Sequence, residues 1–123
     1  MNSADNNKNK APGSKNNNKN AVLDTSALMA LFYDEAGADR IAAILDQACL
    51  SSLTFCDILN QFHQKGGSVT EMEAQFKKLE LDIRPFDEEQ ACLASDLLNQ
   101  DAGKVLSFFD RAAIAIDLSI PAL

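Results

Sequence analysis

An apolar run that ends on an acid and breaks straight into a helix start, Ala21-Val22-Leu23-Asp24-Thr25-Ser26-Ala27-Leu28, constrains the fold more than any other feature of this chain. Apolar residues bounded by a cap-competent Asp-Thr-Ser read as a short buried strand feeding a helix N-terminus. In a parallel α/β sheet the carboxyl ends of the strands form the ligand crevice, so Asp24 stands where sites are built. Two readings of it follow. Either Asp24 or Thr25 caps the helix, worth about 1 kcal/mol, or Asp24 is a functional acid. The fragment by itself leaves both open.

The alternation continues down the chain. Ser26 to Tyr33 reads as a short helix, and Ala38 to Leu45 as a second one after the break at Gly37. Ala48-Cys49-Leu50-Ser51 is a second strand. Thr54 to Lys65 places Phe55, Ile58, Leu59 and Phe62 on one helical face, and Gly66-Gly67 stops it. Ser68-x-x-Glu71 and Thr70-x-x-Glu73 are capping-box spacings that open a helix with Met72, Phe76 and Leu79 inward. Leu81-Asp82-Ile83-Arg84-Pro85 is a third strand, and Asp87 begins a helix through Leu98. Asp101 to Gly103 reads as a loop. Ser107-x-x-Asp110 opens a last helix with Ile114, Leu118 and Ile120 before Pro121, and Pro121-Ala122-Leu123 is the start of one more strand. Strands alternating with helices imply parallel pairing, so the expected architecture is a three-layer α/β/α domain on a short parallel sheet, its last strand incomplete.

Composition bounds what such a domain does. With 123 residues and 46% hydrophobic content, the chain suits one domain with one core. Residues 1–20 hold eight Asn and four Lys against one Asp and have almost nothing to bury, so they are expected to be disordered. That tail is either an inert extension, a product of a misplaced start, or a short basic arm for RNA or an acidic partner. Residues 21–123 form the folded part. They carry seven basic and seventeen acidic side chains, and a polyanion approaching them needs an intervening cation, a local basic patch or a second chain.

Other chemistries find little support. Cys49, Cys56 and Cys92 lack Cys-x-x-Cys spacing and fit reduced, mostly buried thiols, with neither disulfide nor zinc site. His63, the sole histidine, falls near a helix end where a solvated imidazole is the plain reading. No apolar stretch approaches the length needed to cross a bilayer, and Met1-Asn2-Ser3-Ala4-Asp5 is not a signal peptide. A cytoplasmic protein without a membrane partner is expected.

Three acids occupy corresponding places. Asp24 follows the first strand, Asp57 falls in the first turn of the helix after the second, and Asp110 in the first turn of the last helix. In a parallel sheet these positions face one edge. Carboxylates gathered there repel unless a hard divalent cation neutralises them, and Mg²⁺ or Mn²⁺ suits an oxygen-only site. Such an ion activates water and stabilises charge on phosphoryl oxygen, which points to phosphodiester hydrolysis. Each acid also has a plain explanation as a helix cap, most strongly Asp57. Ser26 and Ser107 are candidates to position water or phosphate, with capping as the equal alternative. The remaining acids read as a solvated face.

Val22-Leu23-Asp24-Thr25-Ser26-Ala27-Leu28, Leu53-Thr54-Phe55-Cys56-Asp57-Ile58 and Leu106-Ser107-Phe108-Phe109-Asp110-Arg111-Ala112, together with Arg84-Pro85-Phe86-Asp87, resemble the PIN-domain family over about residues 21–123, particularly VapC-type toxins of bacterial toxin–antitoxin pairs. The resemblance implies a Mg²⁺- or Mn²⁺-dependent endoribonuclease, usually a homodimer and inhibited by a cognate antitoxin. The family's first acid matches Asp24 and its third Asp110. Its second is usually Glu and is matched here by Asp57, one methylene shorter, which draws the carboxylate back by about 1.5 Å. The family pattern continues past a Pro-x-Leu into a strand and a Thr-x-Asp or Thr-x-Asn, whereas this sequence stops at Leu123.

Three function classes are therefore set out. The first is a metal-dependent ribonuclease in which Asp24, Asp57 and Asp110 hold the metal. The second keeps the fold without the chemistry: a truncated, catalytically degenerate PIN domain that acts only as a protein-interaction module. The third is a receiver-like phosphoacceptor, for which Lys104 is poorly placed.

Overall fold

The computed structural model describes residues 21–120, so the expected tail at 1–20 and the strand start at 121–123 lie outside the described residues. Among these residues three parallel strands form one sheet in the order β1-β2-β3: β1 is Ala21–Val22, β2 Ala48–Ser51 and β3 Asp82–Arg84. Ala21 and Val22 pair with Ala48 and Cys49, and Cys49, Leu50 and Ser51 pair with Asp82, Ile83 and Arg84. Leu23 extends the first pairing by donating its N–H to the Cys49 carbonyl at 2.9 Å. The chain turns away only at Asp24.

Among the described residues, seven helices surround the sheet: α1 (Thr25–Phe32), α2 (Ala38–Ala43), α3 (Ser52–Gln64), α4 (Val69–Leu79), α5 (Glu88–Asp96), α6 (Asp101–Lys104) and α7 (Phe108–Ser119). Short 3-10 turns follow α2 at Leu45–Gln47 and α5 at Leu97–Asn99. Side-chain caps account for several starts. Ser51 accepts from Leu53 N at 3.1 Å, Ser68 from Glu71 N at 3.3 Å, and Asp87 from Gln90 N at 3.0 Å. The Ser51 cap starts α3 at Ser52, two residues ahead of the expected Thr54. Gly66, at φ 90°, closes that helix as its sequence implied.

All four residues of the central strand are buried, and alternate ones face opposite layers. Ala48 and Leu50 join a cluster with Leu23, Leu28, Ile58, Met72, Phe76 and Leu81, onto which α1, α3 and α4 pack. The Phe76 ring sits 5.3 Å from Phe32 and 4.8 Å from Phe55, tying the three helices together. Cys49 is equally buried but lies outside this cluster, as the two-residue period of a strand requires. α7 packs on β1, β2 and α5. Helix, sheet and helix layers result, the mixed α/β architecture expected from the sequence.

α7 buries Ala112, Ala113, Ala115 and Ile116 and leaves Leu118 56% exposed. Alanines let its backbone approach β1, β2 and α5 closely, and close approach outweighs the larger side chains a residue or two away. Two expectations are corrected. Cys56 and Cys92 are exposed, and Cys49 alone is buried. Asp101–Lys104 forms a helical turn in place of a loop. Gly103 within it is buried, and a Cβ there would collide with the Leu97 carbonyl. Among the described residues no helix is long and apolar enough to cross a membrane.

Candidate functional site

Asp24 ends the first strand segment and caps α1, its Oδ1 accepting from Ala27 N at 2.8 Å. The cap satisfies one N–H of the first turn and uses one carboxylate oxygen. Oδ2 accepts no hydrogen bond among the described residues. Thr25 and Ser26 begin the helix beside it.

Asp57 behaves differently from its expected place. Because α3 starts at Ser52, Asp57 lies in its second turn and caps nothing. Its carboxylate takes a 2.7 Å hydrogen bond from Thr25 Oγ1 on Oδ2, and the Gln61 amide, one helical turn on, reaches both oxygens at 3.3 Å. The half-buried acid is held by side chains from two helices, a constraint that has no capping purpose.

Asp110 and Ser107 form a reciprocal capping box on α7. Ser107 Oγ accepts from Asp110 N at 3.0 Å, and Asp110 Oδ2 accepts from Ser107 N at 3.3 Å. As at Asp24, the same acid that caps the helix presents a carboxylate at the carboxyl edge of the sheet.

A cavity of about 480 Å³ joins these elements. Asp57 and Gln61 line it from α3, Thr25 and Ser26 from α1, and Ser107 and Asp110 from α7. Asp57 and Asp110 thus meet in one space, together with both candidate serines. Asp24 stands one residue outside its lining. The cavity also takes in Glu35, which the sequence reading did not single out. Glu35 arrives because the chain reverses after α1 with Asp34 at φ 51° and Glu35 N bonded to the Ala30 carbonyl at 2.9 Å. Nothing in the local sequence separates Glu35 from the solvated acids around it.

No Lys, Arg or His lines this cavity among the described residues. Carboxylates and hydroxyls supply most of the polar lining beside Met29, Phe109 and the Gln61 amide, a set rich in oxygen donors that fits a hard divalent cation and repels a bare phosphate. Among the described residues no three His, Cys, Asp or Glu side chains gather tightly enough to form a complete metal-binding group. The chemistry of the lining fits such an ion.

The sequence shows no match among curated proteins. It does match the PIN domain over residues 21–118, which takes in every element described here up to the last turn of α7. The chain therefore belongs to the PIN domain family, whose members are in general nuclease domains that act on RNA or DNA and typically use divalent metal ions.

Proposed function

We propose that this PIN domain is a Mg²⁺- or Mn²⁺-dependent endoribonuclease of the VapC toxin type. The observation that carries the reading is one cavity at the carboxyl edge of the sheet, lined by Asp57, Asp110 and Glu35 and, among the described residues, free of basic side chains. Asp24, Asp57 and Asp110 are the residues assigned to hold the ion. A bound divalent cation supplies water acidic enough to attack at neutral pH and neutralises charge on the phosphoryl oxygens.

The chain's own groups have separate tasks in this reading. Asp24 and Asp110 each spend one oxygen on a helix N-terminus, which would hold the carboxylate in place for an ion bound by the other oxygen. Thr25 and Gln61 position Asp57. Ser26 and Ser107 offer hydroxyls to orient water or a non-bridging phosphate oxygen. The resemblance adds a cognate antitoxin and a homodimeric state as partners, and a cytoplasmic setting.

The test is cleavage of single-stranded RNA by the full chain with Mn²⁺, Mg²⁺ or a chelator. The proposal expects metal-dependent internal cleavage that Asp24→Asn and Asp110→Asn each abolish. RNA left intact under every metal condition, by a chain whose helical spectrum is unchanged, would overturn it in favour of a binding module without chemistry.

A further inference from the structure

A second cavity, of about 270 Å³, adjoins the acidic one and shares Asp57 and Phe109 with it as walls. Helical periodicity explains the division. Asp57 and Gln61 form one row of α3 and face the acids, while Cys56, Leu59, Asn60 and His63 form the neighbouring row and line the second cavity. Val69, the first residue of α4, closes the far side. Its character is different from that of its neighbour: Leu59, Val69 and Phe109 supply apolar faces, Asn60 and His63 supply polar edges, and among the described residues the one carboxylate is the shared Asp57.

We propose that this second cavity is a nucleobase subsite, taking the unpaired base of the nucleotide next to the phosphodiester at the acids. The inference rests on the nuclease reading above. A strand whose phosphate lies against Asp57 must place a flanking base within one nucleotide of it, and the common wall puts this cavity there. A base is a flat π surface with donors and acceptors on its rim. Phe109 offers the stacking face, and the Asn60 amide and His63 imidazole offer partners for the rim.

Charge favours the same occupant. Residues 21–123 carry seventeen acidic and seven basic side chains, so phosphates gain little attraction from this domain. Stacking does not depend on that balance. The platform is also braced before a substrate arrives: Phe108 meets Phe109 edge-on at 5.4 Å and Phe86 at 5.9 Å, and Phe86 N is bonded to Ser52 Oγ at 3.0 Å. A ring already held loses little freedom on binding. A base inside a duplex is covered on both faces and cannot enter, so the substrate is a single strand.

The cysteines report on the proposal directly. Cys56 lines the cavity and is exposed, Cys92 is exposed on α5, and Cys49 is buried. Thiol alkylation of the full chain is followed with Ca²⁺ in place of Mg²⁺ and a short single-stranded oligoribonucleotide as the probe. The expected result is about tenfold slower alkylation of Cys56 at saturation with Cys92 unchanged, and no protection by the matching duplex or by inorganic phosphate. Phe109→Leu, which keeps apolar volume and loses the π face, should raise the oligonucleotide concentration for half protection about tenfold, and Phe109→Tyr should not. An oligonucleotide that is cleaved or bound yet leaves Cys56 reactive, or that protects it equally in Phe109→Leu, overturns the subsite while the nuclease reading stands. Protection of Cys56 by a protein partner but not by the oligonucleotide also overturns it. A chain that neither binds nor cleaves any strand overturns both.

Discussion

Thr25 Oγ1 donates a 2.7 Å hydrogen bond to Asp57 Oδ2 across 32 residues of sequence, joining the first residue of α1 to the second turn of α3. A hydroxyl bonded to a half-buried carboxylate contributes about 1–2 kcal/mol, and removing the donor leaves Asp57 with Gln61 alone. Thr25→Val keeps the shape and deletes the hydroxyl, so urea denaturation should show a loss of about 1 kcal/mol, while Thr25→Ser stays close to the parent. A double-mutant cycle with Asp57→Ala, which removes the acceptor, should return a coupling energy of about 0.5–1.5 kcal/mol. Additive single effects would mean that the contact does not hold the two helices in solution.

The capping box on α7 allows fold and chemistry to be separated at one residue. Ser107→Ala removes the acceptor for Asp110 N and should lower stability by about 1 kcal/mol. Asp110→Asn retains a side-chain oxygen for Ser107 N, and its stability should stay within about 0.5 kcal/mol of the parent. In the proposed nuclease the same Asp110→Asn loses RNA cleavage. Denaturation and cleavage measured on both variants check the pair of outcomes; an active Asp110→Asn would reduce this acid to a cap.

What the sequence makes legible here follows from how local each signal is. Strand β2 and helices α3, α4 and α5 are carried by apolar periodicity and by caps a few residues apart, such as Ser68 on Glu71 N and Asp87 on Gln90 N. The inward face of α7 is not legible, because Ala112 and Ala115 bury completely through backbone approach while Leu118 presents the stronger hydrophobic signal. Asp57 illustrates the same limit at the site. Its spacing from the second strand suggests a cap, and the partners that define it, Thr25 and Gln61, appear only once α1 and α3 are packed. Glu35 enters the cavity through a reversal at Asp34 that no periodic pattern encodes.

Divalent metal should stabilise the folded chain if the acidic cavity holds it. A ligand that binds only the native state adds about 2.7 kcal/mol at a hundred times its Kd. We expect Mg²⁺ or Mn²⁺ to raise the melting temperature, and Asp57→Asn and Asp24→Asn each to shrink that rise. Melting curves identical with metal and with chelator would count against the cavity as a cation site.

Asp57→Glu is the most discriminating substitution. The PIN-domain resemblance pairs this position with Glu, and the shorter Asp is held toward Thr25 by a 2.7 Å bond and toward Gln61 by two of 3.3 Å. An added methylene moves the carboxylate by about 1.5 Å, breaking the Thr25 contact and carrying the acid further into the cavity it shares with Asp110. Stability should fall by about 1 kcal/mol from the lost hydrogen bond. Cleavage should rise, by about tenfold or more, since an ångström of misplacement at a reacting centre is worth up to roughly a hundredfold in rate. Single-turnover cleavage of RNA with Mn²⁺, read beside urea denaturation, measures both effects on one variant. A stability loss without any change in cleavage would leave Asp57 as the tether between α1 and α3 and remove it from the metal site.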